Sequence, residues 1–155
     1  MNFEFSADQM QLKDIARKFL EKEDAVKRAR NVLEGEESFD ENLWQQIIEM
    51  GFTATAIPEE YGGLGLGYLE LCVIAEELGR SLAPTPFSSS VYLATEAILN
   101  SEDDSLKQNY LPSLANGEKI GSFAHSESNT SPTESNIQCN VSGNALSGKK
   151  IAVVD

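Results

Sequence analysis

A change of hydrophobic period divides this chain near residue 117. Before that point apolar residues recur with the spacing of an α-helix, and after it they alternate with polar residues as in β-strands. Pro112 and the Asn116-Gly117 pair stand at the change, where a helix has to stop and a turn has to follow. Because the two periods belong to different structural layers, the sequence predicts a mostly α fold. A helical domain is expected over residues 1–117 and the beginning of a β-domain over residues 118–155.

Amphipathic patterns in the first part predict a bundle of five helices. Ser6 with Gln9 fits a capping box for the first helix, and Asp40 can cap the second, which should end at Gly51. The charged segment 21–30 is expected to be a solvated helix face or a fraying helix end. The other three helices are predicted over the apolar stripes Leu69–Leu78, Val91–Ile98 and Leu106–Leu114, the last interrupted at Pro112.

Two features of the helical part raise the question of a ligand. The fourth stripe has a face of small residues, which favours close helix packing over room for a ligand: Ser88, Ser89, Ser90, Ala94 and Ala97. The glycine-rich run 52–68 has neither the G-x-G-x-x-G spacing nor the Lys-Ser/Thr pair of a phosphate-binding loop. It is therefore predicted to be a folded connection whose glycines permit tight turns. Trp44 is expected to pack in the core.

The second part contains three strand-like pieces, at residues 119–126, 136–141 and 145–154. Ser142-Gly143-Asn144 is predicted to form a hairpin turn. Two or three strands without a partner layer make a poor domain, and their open edges favour association. The sequence is therefore expected to be a fragment, with a complete helical domain and a truncated β-barrel-like domain.

The charge balance disfavours two classes of partner. Twelve Lys and Arg against 25 Asp and Glu give a formal net charge of −13, which disfavours binding to nucleic acid and to anionic membranes. The N-terminus MNFEFSADQ has no basic flank and no apolar core, so it does not resemble a secretory signal. No apolar run reaches the roughly 20 residues of a membrane span. A cytoplasmic location is expected.

Neither a metal site nor a nucleophile–base triad is predicted. Cys72, Cys139 and the single His125 are too few and too distant to suggest metal ligation, and the two thiols are expected to be reduced and partly buried. His125, Ser126 and Glu127 are adjacent, and neighbouring residues of a strand point to opposite faces. They cannot form a triad locally.

Several motifs in order give the chain a family resemblance. They are the Trp44–Gly51 helix end, Ile57-Pro58-Glu59-Glu60-Tyr61-Gly62-Gly63-Leu64-Gly65, Glu76-Glu77-Leu78-Gly79-Arg80, Tyr110-Leu111-Pro112, Leu114-Ala115-Asn116-Gly117-Glu118, Ser126-Glu127 and Gly148-Lys149-Lys150. Their order and spacing across nearly the whole chain resemble the N-terminal part of the acyl-CoA dehydrogenase family.

This resemblance implies a function as well as a fold. Members combine an N-terminal helical domain, a middle β-domain and a C-terminal four-helix bundle, bind FAD, and oxidise acyl-CoA to enoyl-CoA. It implies an acyl-CoA substrate, an electron-transfer acceptor protein and a homo- or hetero-oligomer. The family's base is a glutamate of the C-terminal region, so no catalytic residue is assigned here. Glu59-Glu60 and Glu76-Glu77 are expected to be solvated or structural carboxylates.

The resemblance also implies which residues contact the flavin. Phe123, His125 and Ser126 fall on the strand that binds the polar edge of the ring, through the amides of His125 and Ser126 and the Ser126 hydroxyl, and Val154 falls beside the ring. The chain departs from the family in two places. Residues 128–133 lack the usual Gly-Ser-Asp turn, and Ala152 and Val154 replace a tryptophan and a threonine. These departures favour an alternative, a non-catalytic helical interaction module or pseudoenzyme subunit.

Overall fold

The computed structural model describes residues 4–130, 132–133 and 135–154, and most of them are helical. In chain order the helices are α1 (Ala7–Lys22), α2 (Ala25–Glu34), α3 (Glu41–Glu49), α4 (Tyr68–Arg80), a π-helical segment (Ser88–Thr95) that continues into α5 (Glu96–Leu99), and α6 (Asp104–Ala115). Two 3₁₀ turns, Phe52–Ala54 and Glu59–Tyr61, lie between α3 and α4, and strands β1 (Asn140–Ser142) and β2 (Ala145–Ser147) come last. The predicted order of helices followed by first strands is confirmed.

Side-chain caps fix where the first and third helices begin. Ser6 Oγ accepts from the Gln9 amide at 3.1 Å, and the Gln9 side chain accepts from the Ser6 amide at 2.9 Å, which completes the predicted capping box. Asp40 Oδ1 accepts from the Leu43 amide at 2.8 Å. Gly51 then ends α3 in the left-handed conformation, with φ at 76°. Both predicted caps are confirmed.

The charged segment 21–30 is a solvated helix face, which is one of the two alternatives predicted for it. It also contains a break between helices that was not predicted. Asp24 takes a left-handed φ of 51°, which separates α1 from α2. The Arg28 guanidinium lies 3.0 Å from Asp40 and 2.9 Å from Glu23, and it ties α2 to the start of α3. The pattern of apolar residues in a sequence does not predict ion pairs of this kind.

α1 and α4 run parallel and are joined by a series of polar contacts, here called the α1–α4 ladder. Its rungs, one per turn of α1, are Gln9–Glu70 (2.8 Å), Lys13–Glu76 (2.8 Å), Arg17–Glu77 (2.7 Å) and Glu21–Arg80 (3.3 Å). The Glu77 carboxylate is fully buried and also accepts from Arg80 Nε at 2.7 Å. The hydrogen bond from Arg17, aided by that from Arg80 and opposed by burial, lowers the pKa of Glu77 to about 2. Glu77 is therefore a structural carboxylate, whereas Glu76 is largely solvated.

The main core lies between α1, α2, α3, α4 and the π-helical segment. Its largest fully buried apolar side chains are Leu20, Leu43, Ile47 and Ile74. Trp44 is 5% exposed and packs edge-on against Phe87, with ring centroids 6.4 Å apart, so its predicted core role is confirmed. A smaller cluster joins the glycine-rich connection to α6: Ala54, Ile57, Leu111 and Ala115.

The glycine-rich run is the folded connection that the sequence predicts. It turns back on the first 3₁₀ turn through bonds from the Leu64 amide to the Ala54 carbonyl and from the Leu66 amide to the Thr55 carbonyl, both 2.9 Å. Gly63 passes against the backbone of Ile57 so closely that a Cβ at Gly63 would overlap the Ile57 carbonyl. Glycine is needed there for space.

The predicted fourth helix is present, but it is not a regular α-helix. Ser88–Thr95 is π-helical, and Thr95 Oγ1 donates to the Ser90 carbonyl five residues earlier at 2.8 Å. A buried hydroxyl that bonds the backbone in this way competes with the regular helical pattern. α6, by contrast, starts at its Asp103 cap and runs through Pro112 without interruption.

The strand prediction holds only in part. β1 and β2 form an antiparallel hairpin in which Val141 is opposite Leu146, with Gly143 at a φ of 58° in the predicted turn. Residues 119–126 and 148–154 are described as irregular backbone, and the prediction of strands there was wrong. A strand requires a ladder of hydrogen bonds, and one backbone bond, from the Ile151 amide to the Ser126 carbonyl at 2.8 Å, joins these two segments.

Membrane spans, metal ligands and cysteines can be checked in the described part of the chain. There, no helix has both the length and the apolar character to cross a bilayer. Across the same residues, no three His, Cys, Asp or Glu side chains form a possible metal site. Both cysteines are free, but Cys72 is exposed and only Cys139 is half-buried, which corrects the expectation for Cys72.

Gly79→Ala is expected to raise the free energy of unfolding by about 0.5–1 kcal/mol. Gly79 lies within α4, and a Cβ there would meet nothing within 4 Å outside its own helix turn. Alanine also reduces the freedom of the unfolded chain. Urea denaturation of both proteins measures the change, and a loss of stability would contradict the helical environment described for Gly79.

Candidate functional site

The segment 117–121 precedes the predicted site and crosses close to the π-helical segment. Gly117, at a φ of 73°, turns the chain out of α6. The Gly121 amide then donates to Ser90 Oγ at 3.2 Å, and a Cβ at Gly121 would lie 2.5 Å from that of Ala94. Ser90 and Ala94 on this helix face therefore serve close packing, which was the favoured alternative.

Phe123 and His125 lie next to each other at the end of this crossing. Their ring centroids are 5.4 Å apart with the planes tilted by 34°, and Phe123 is 44% exposed. Phe123 also lines a cavity of about 310 Å³ between α5, α6 and the crossing segment, together with Ala97, Ile98 and Tyr110. An exposed aromatic ring beside an apolar cavity can contact a flat ligand.

The carbonyl groups of His125 and Ser126 accept hydrogen bonds from residues 150 and 151. Lys150 Nζ donates to the His125 carbonyl at 3.2 Å, and the Ile151 amide donates to the Ser126 carbonyl at 2.8 Å. In the described part of the chain, the amides of His125 and Ser126 and the Ser126 hydroxyl have no protein partner. Three donors on two adjacent residues are thus available to a ligand.

Glu127 lies beside these donors and is itself fully engaged. Its carboxylate accepts from the Gln138 amide at 2.6 Å, the Cys139 amide at 3.0 Å and Lys150 Nζ at 2.8 Å. The neighbouring Cys139 thiol, and after it the hydrogen bond from Lys150, lower the pKa of Glu127 to about 2. The nearness of the Glu127 carboxylate in turn raises the pKa of Cys139.

The four residues assigned from the sequence are only partly brought together. Phe123, His125 and Ser126 lie on one continuous segment, in which Phe123 and His125 are exposed and Ser126 is half-buried. Val154 is 57% exposed, and no hydrogen bond of the described residues joins it to the other three. Ala152, which lies between Ser126 and Val154 in the sequence, takes a left-handed φ of 51°, a rare conformation for alanine.

Sequence reasoning missed the contact between Glu127 and Lys150. Both belong to motifs that carry the family resemblance, but they are 23 positions apart in an irregular region. Pairs of opposite charges separated by this many positions in the sequence are common in any chain. No sequence signal distinguishes Glu127 and Lys150 from the other such pairs.

The donor set suits a ligand that carries hydrogen-bond acceptors. Two amides and a hydroxyl can donate to acceptor atoms such as carbonyl oxygens or an unprotonated ring nitrogen. The following turn offers less to a phosphate, because the hydroxyls of Ser128 and Thr130 bond to each other at 2.7 Å. Ser131 lies outside the described residues.

Comparison with known proteins gives consistent matches. The family model described as "Acyl-CoA dehydrogenase, N-terminal domain" matches residues 6–118. Mitochondrial isovaleryl-CoA dehydrogenase of Arabidopsis thaliana is 32% identical over 155 residues, which covers 95% of this chain and 37% of that protein.

Solved structures show the same similarity. A chain from the structure described as the electron transferring flavoprotein of Acidaminococcus fermentans has a TM-score of 0.83 and 30% identity, covering 99% of this chain and 41% of that one. The acyl-CoA dehydrogenase of Bacillus anthracis complexed with FAD has a TM-score of 0.73 and 27% identity, covering 83% and 22%. The chain thus spans less than half the length of these relatives.

Proposed function

Because this chain belongs to the acyl-CoA dehydrogenase family, we propose that it forms the N-terminal part of an FAD-dependent oxidoreductase that converts acyl-CoA to enoyl-CoA. The observation that carries the proposal is the match of the family's N-terminal domain to residues 6–118. We place the helical domain at residues 1–117 and the start of the middle β-domain at residues 118–155. Because the chain spans 37% of an isovaleryl-CoA dehydrogenase, these residues alone are proposed to be inactive.

The donors at His125 and Ser126 are proposed to hold the polar edge of the flavin ring. FAD supplies a hydride acceptor to the oxidation when it is bound. Donors that are already fixed stabilise negative charge without reorganisation, and the carbonyls on either side of the Ser126 amide are both hydrogen-bonded. Phe123 and Val154 are proposed to lie beside the ring.

No glutamate of this chain is proposed as the catalytic base. A base needs a free carboxylate with a pKa near the working pH. Glu77 is buried between two arginines, and Glu127 accepts three hydrogen bonds; each has a pKa of about 2. Neither carboxylate suits that role, and abstraction of the substrate's α-proton is proposed to fall to the glutamate that the family carries in its C-terminal region.

Partners are proposed from the same family membership. They are an acyl-CoA substrate, an electron-transfer acceptor protein, and further subunits in a homo- or hetero-oligomer. Exposed apolar side chains on and after α4 support contact with other protein surfaces: Tyr68 (61% exposed), Leu69 (60%) and Leu82 (65%).

A second candidate is a pseudoenzyme subunit or a non-catalytic helical interaction module. Ala152 and Val154 offer neither the ring nor the hydroxyl found in the family, and residues 128–133 offer no glycine amide to a pyrophosphate. This candidate requires that the donors at His125 and Ser126 bind no flavin.

Titration of the ¹⁵N-labelled chain with FAD tests the proposal. We expect weak, reversible shifts of the His125 and Ser126 amide signals, without stoichiometric FAD after gel filtration and without turnover of any acyl-CoA. Shifts confined to other residues would favour the second candidate. Turnover by the 155 residues alone would contradict the proposal that they are inactive.

Ser126→Ala is expected to weaken FAD binding about fivefold, because one hydroxyl hydrogen bond contributes about 1 kcal/mol. The matched control is Ser122→Ala, at an exposed position of the same segment that lies outside the proposed donor set. FAD titrations of both variants measure the effect. Equal binding by the wild type and Ser126→Ala would remove the hydroxyl from the proposed site.

A further inference from the structure

Three separate pieces of the chain meet at the Glu127 carboxylate. One is the segment 125–127 itself, the second contains Gln138 and Cys139, and the third contains Lys150 and Ile151. Glu127 Oε2 accepts from the Gln138 amide at 2.6 Å, and Oε1 accepts from the Cys139 amide at 3.0 Å and from Lys150 Nζ at 2.8 Å. The Glu127 side chain is only 11% exposed, so these donors replace most of its water.

The link continues from Lys150 to the proposed donor segment. The same ammonium group donates to the His125 carbonyl at 3.2 Å. In a trans peptide the carbonyl of one residue and the amide of the next lie in one plane and point in opposite directions. A bond that fixes the His125 carbonyl therefore also fixes the direction of the Ser126 amide, which points away from Lys150.

Little else in the described residues holds these pieces together. The Ile151 amide donates to the Ser126 carbonyl at 2.8 Å, and the residues of β1 and β2 are all exposed. A two-stranded hairpin is marginal in water by itself. Charge-assisted hydrogen bonds from two amides and an ammonium group are stronger than neutral ones.

The close approach of Gly148 to Cys139 serves the same junction. A Cβ at Gly148 would overlap Cys139 Sγ and lie 2.8 Å from the Cys139 Cα. Only glycine lets the chain leaving β2 pass this close to the residue whose amide binds Glu127. Lys150 follows two residues later and reaches the same carboxylate.

We propose that Glu127 is a positioning residue that acts through Lys150 to orient the Ser126 peptide group toward the flavin edge. The role in flavin binding rests on the function proposed above, whereas the orientation of the peptide group does not. Glu127 itself touches no ligand in this role. It sets the direction of a donor that does.

The test is Glu127→Gln in the full 155-residue chain, measured by ¹⁵N relaxation, hydrogen exchange and FAD titration. Glutamine keeps the shape of the side chain but loses the charge that attracts Lys150. We expect the order parameters of His125 and Ser126 to fall from about 0.85 toward about 0.6. Exchange of the Gln138 and Cys139 amides should rise about tenfold and FAD binding should weaken about tenfold.

Two further variants separate a specific effect from loss of the fold. Glu118→Gln, at an exposed glutamate upstream of the same segment, should change none of these values. Lys150→Met should reproduce the loss of order at Ser126 but leave the Gln138 and Cys139 amides bound to Glu127. The far-UV circular dichroism of all variants should match the wild type, because the groups that bond to the Glu127 carboxylate in the described residues all lie outside the helices.

Each outcome decides a different statement. Unchanged order at Ser126 in Glu127→Gln would overturn the proposed orientation. Lost order with unchanged FAD binding would overturn its role toward the flavin. If the wild type shows no FAD response at His125 and Ser126, the proposed function fails, while the order parameters still decide the role of Glu127 in orienting Ser126.

Discussion

Replacing Glu77 with glutamine is expected to lower the free energy of unfolding by about 2–3 kcal/mol. The Glu77 carboxylate is 0% exposed and accepts from Arg17 at 2.7 Å and from Arg80 at 2.7 Å. A glutamine amide group would direct hydrogens at one of these guanidinium groups. The arginines are 41% and 42% exposed and can be hydrated again, which keeps the loss below that of a wholly buried ion pair.

Glu76→Gln is the matched control, one residue earlier on the same helix. Glu76 pairs with Lys13 at 2.8 Å, but its side chain is 54% exposed. An exposed pair contributes about 0.5 kcal/mol or less. Urea denaturation monitored by circular dichroism measures both variants, and equal losses would show that burial of Glu77 does not determine the effect.

The same carboxylate makes stability depend on pH in the acid range. The pKa of Glu77 falls from its usual 4.5 to about 2 on folding, so the unfolded chain binds its proton first as the pH falls. The stabilisation is present above pH 4.5 and is lost between 4.5 and about 2. We expect the acid decline of the melting temperature to be shallower in Glu77→Gln. Parallel curves for variant and wild type would contradict this assignment.

Gly63→Ala is expected to destabilise the protein by about 3 kcal/mol, because the added methyl group would overlap backbone atoms of Ile57. No rotamer relieves this overlap, since a Cβ has no freedom of its own. The bonds from Leu64 to Ala54 and from Leu66 to Thr55 follow directly after Gly63 and would have to shift. Thermal and urea denaturation should both show the loss.

Gly62→Ala separates lack of space from backbone strain. Gly62 has a φ of 80°, but a Cβ there meets nothing within 4 Å. The cost of a left-handed alanine is about 1 kcal/mol. If Gly62→Ala destabilised the protein as much as Gly63→Ala, close packing against Ile57 would not be the cause.

Features that depend on near neighbours could be predicted from the sequence. Ser6 with Gln9 and Asp40 with Leu43 are three residues apart, and each pair determines its own geometry. The same holds for Gly51 and for the turn at Gly143. The period change near residue 117 correctly predicted where the long helices end, while the domain boundary placed there stays a prediction.

Features that depend on residues far apart in the sequence could not be predicted from it. Arg17 and Glu77 are 60 positions apart, and in the sequence each looks like an ordinary charge on a helix. The alternation in residues 119–126 is present, but strands also need partners, which the described residues do not provide there. The π-helical geometry of Ser88–Thr95 is accompanied by the bond from the Thr95 hydroxyl to the Ser90 carbonyl, and no periodicity in the sequence shows either.

The candidate site was predictable only through the family resemblance. The segment Phe123-Ala124-His125-Ser126 has no signature of its own, since two of its three donors are backbone amides that every residue except proline carries. What holds the segment, the contact of Glu127 with Lys150, depends on the path of the chain after β2. Whether Val154 lies beside a flavin stays a prediction.

The parallel course of α1 and α4 has an electrostatic consequence. Two parallel helices place their partially positive N-termini side by side and their partially negative C-termini side by side, and both arrangements repel. The α1–α4 ladder has a carboxylate, Glu70, at the N-terminal end and a guanidinium group, Arg80, at the C-terminal end. Each charge opposes the local helix dipoles. Apolar residues of the same size at these positions would fill the space but leave the dipoles of the two helices uncompensated.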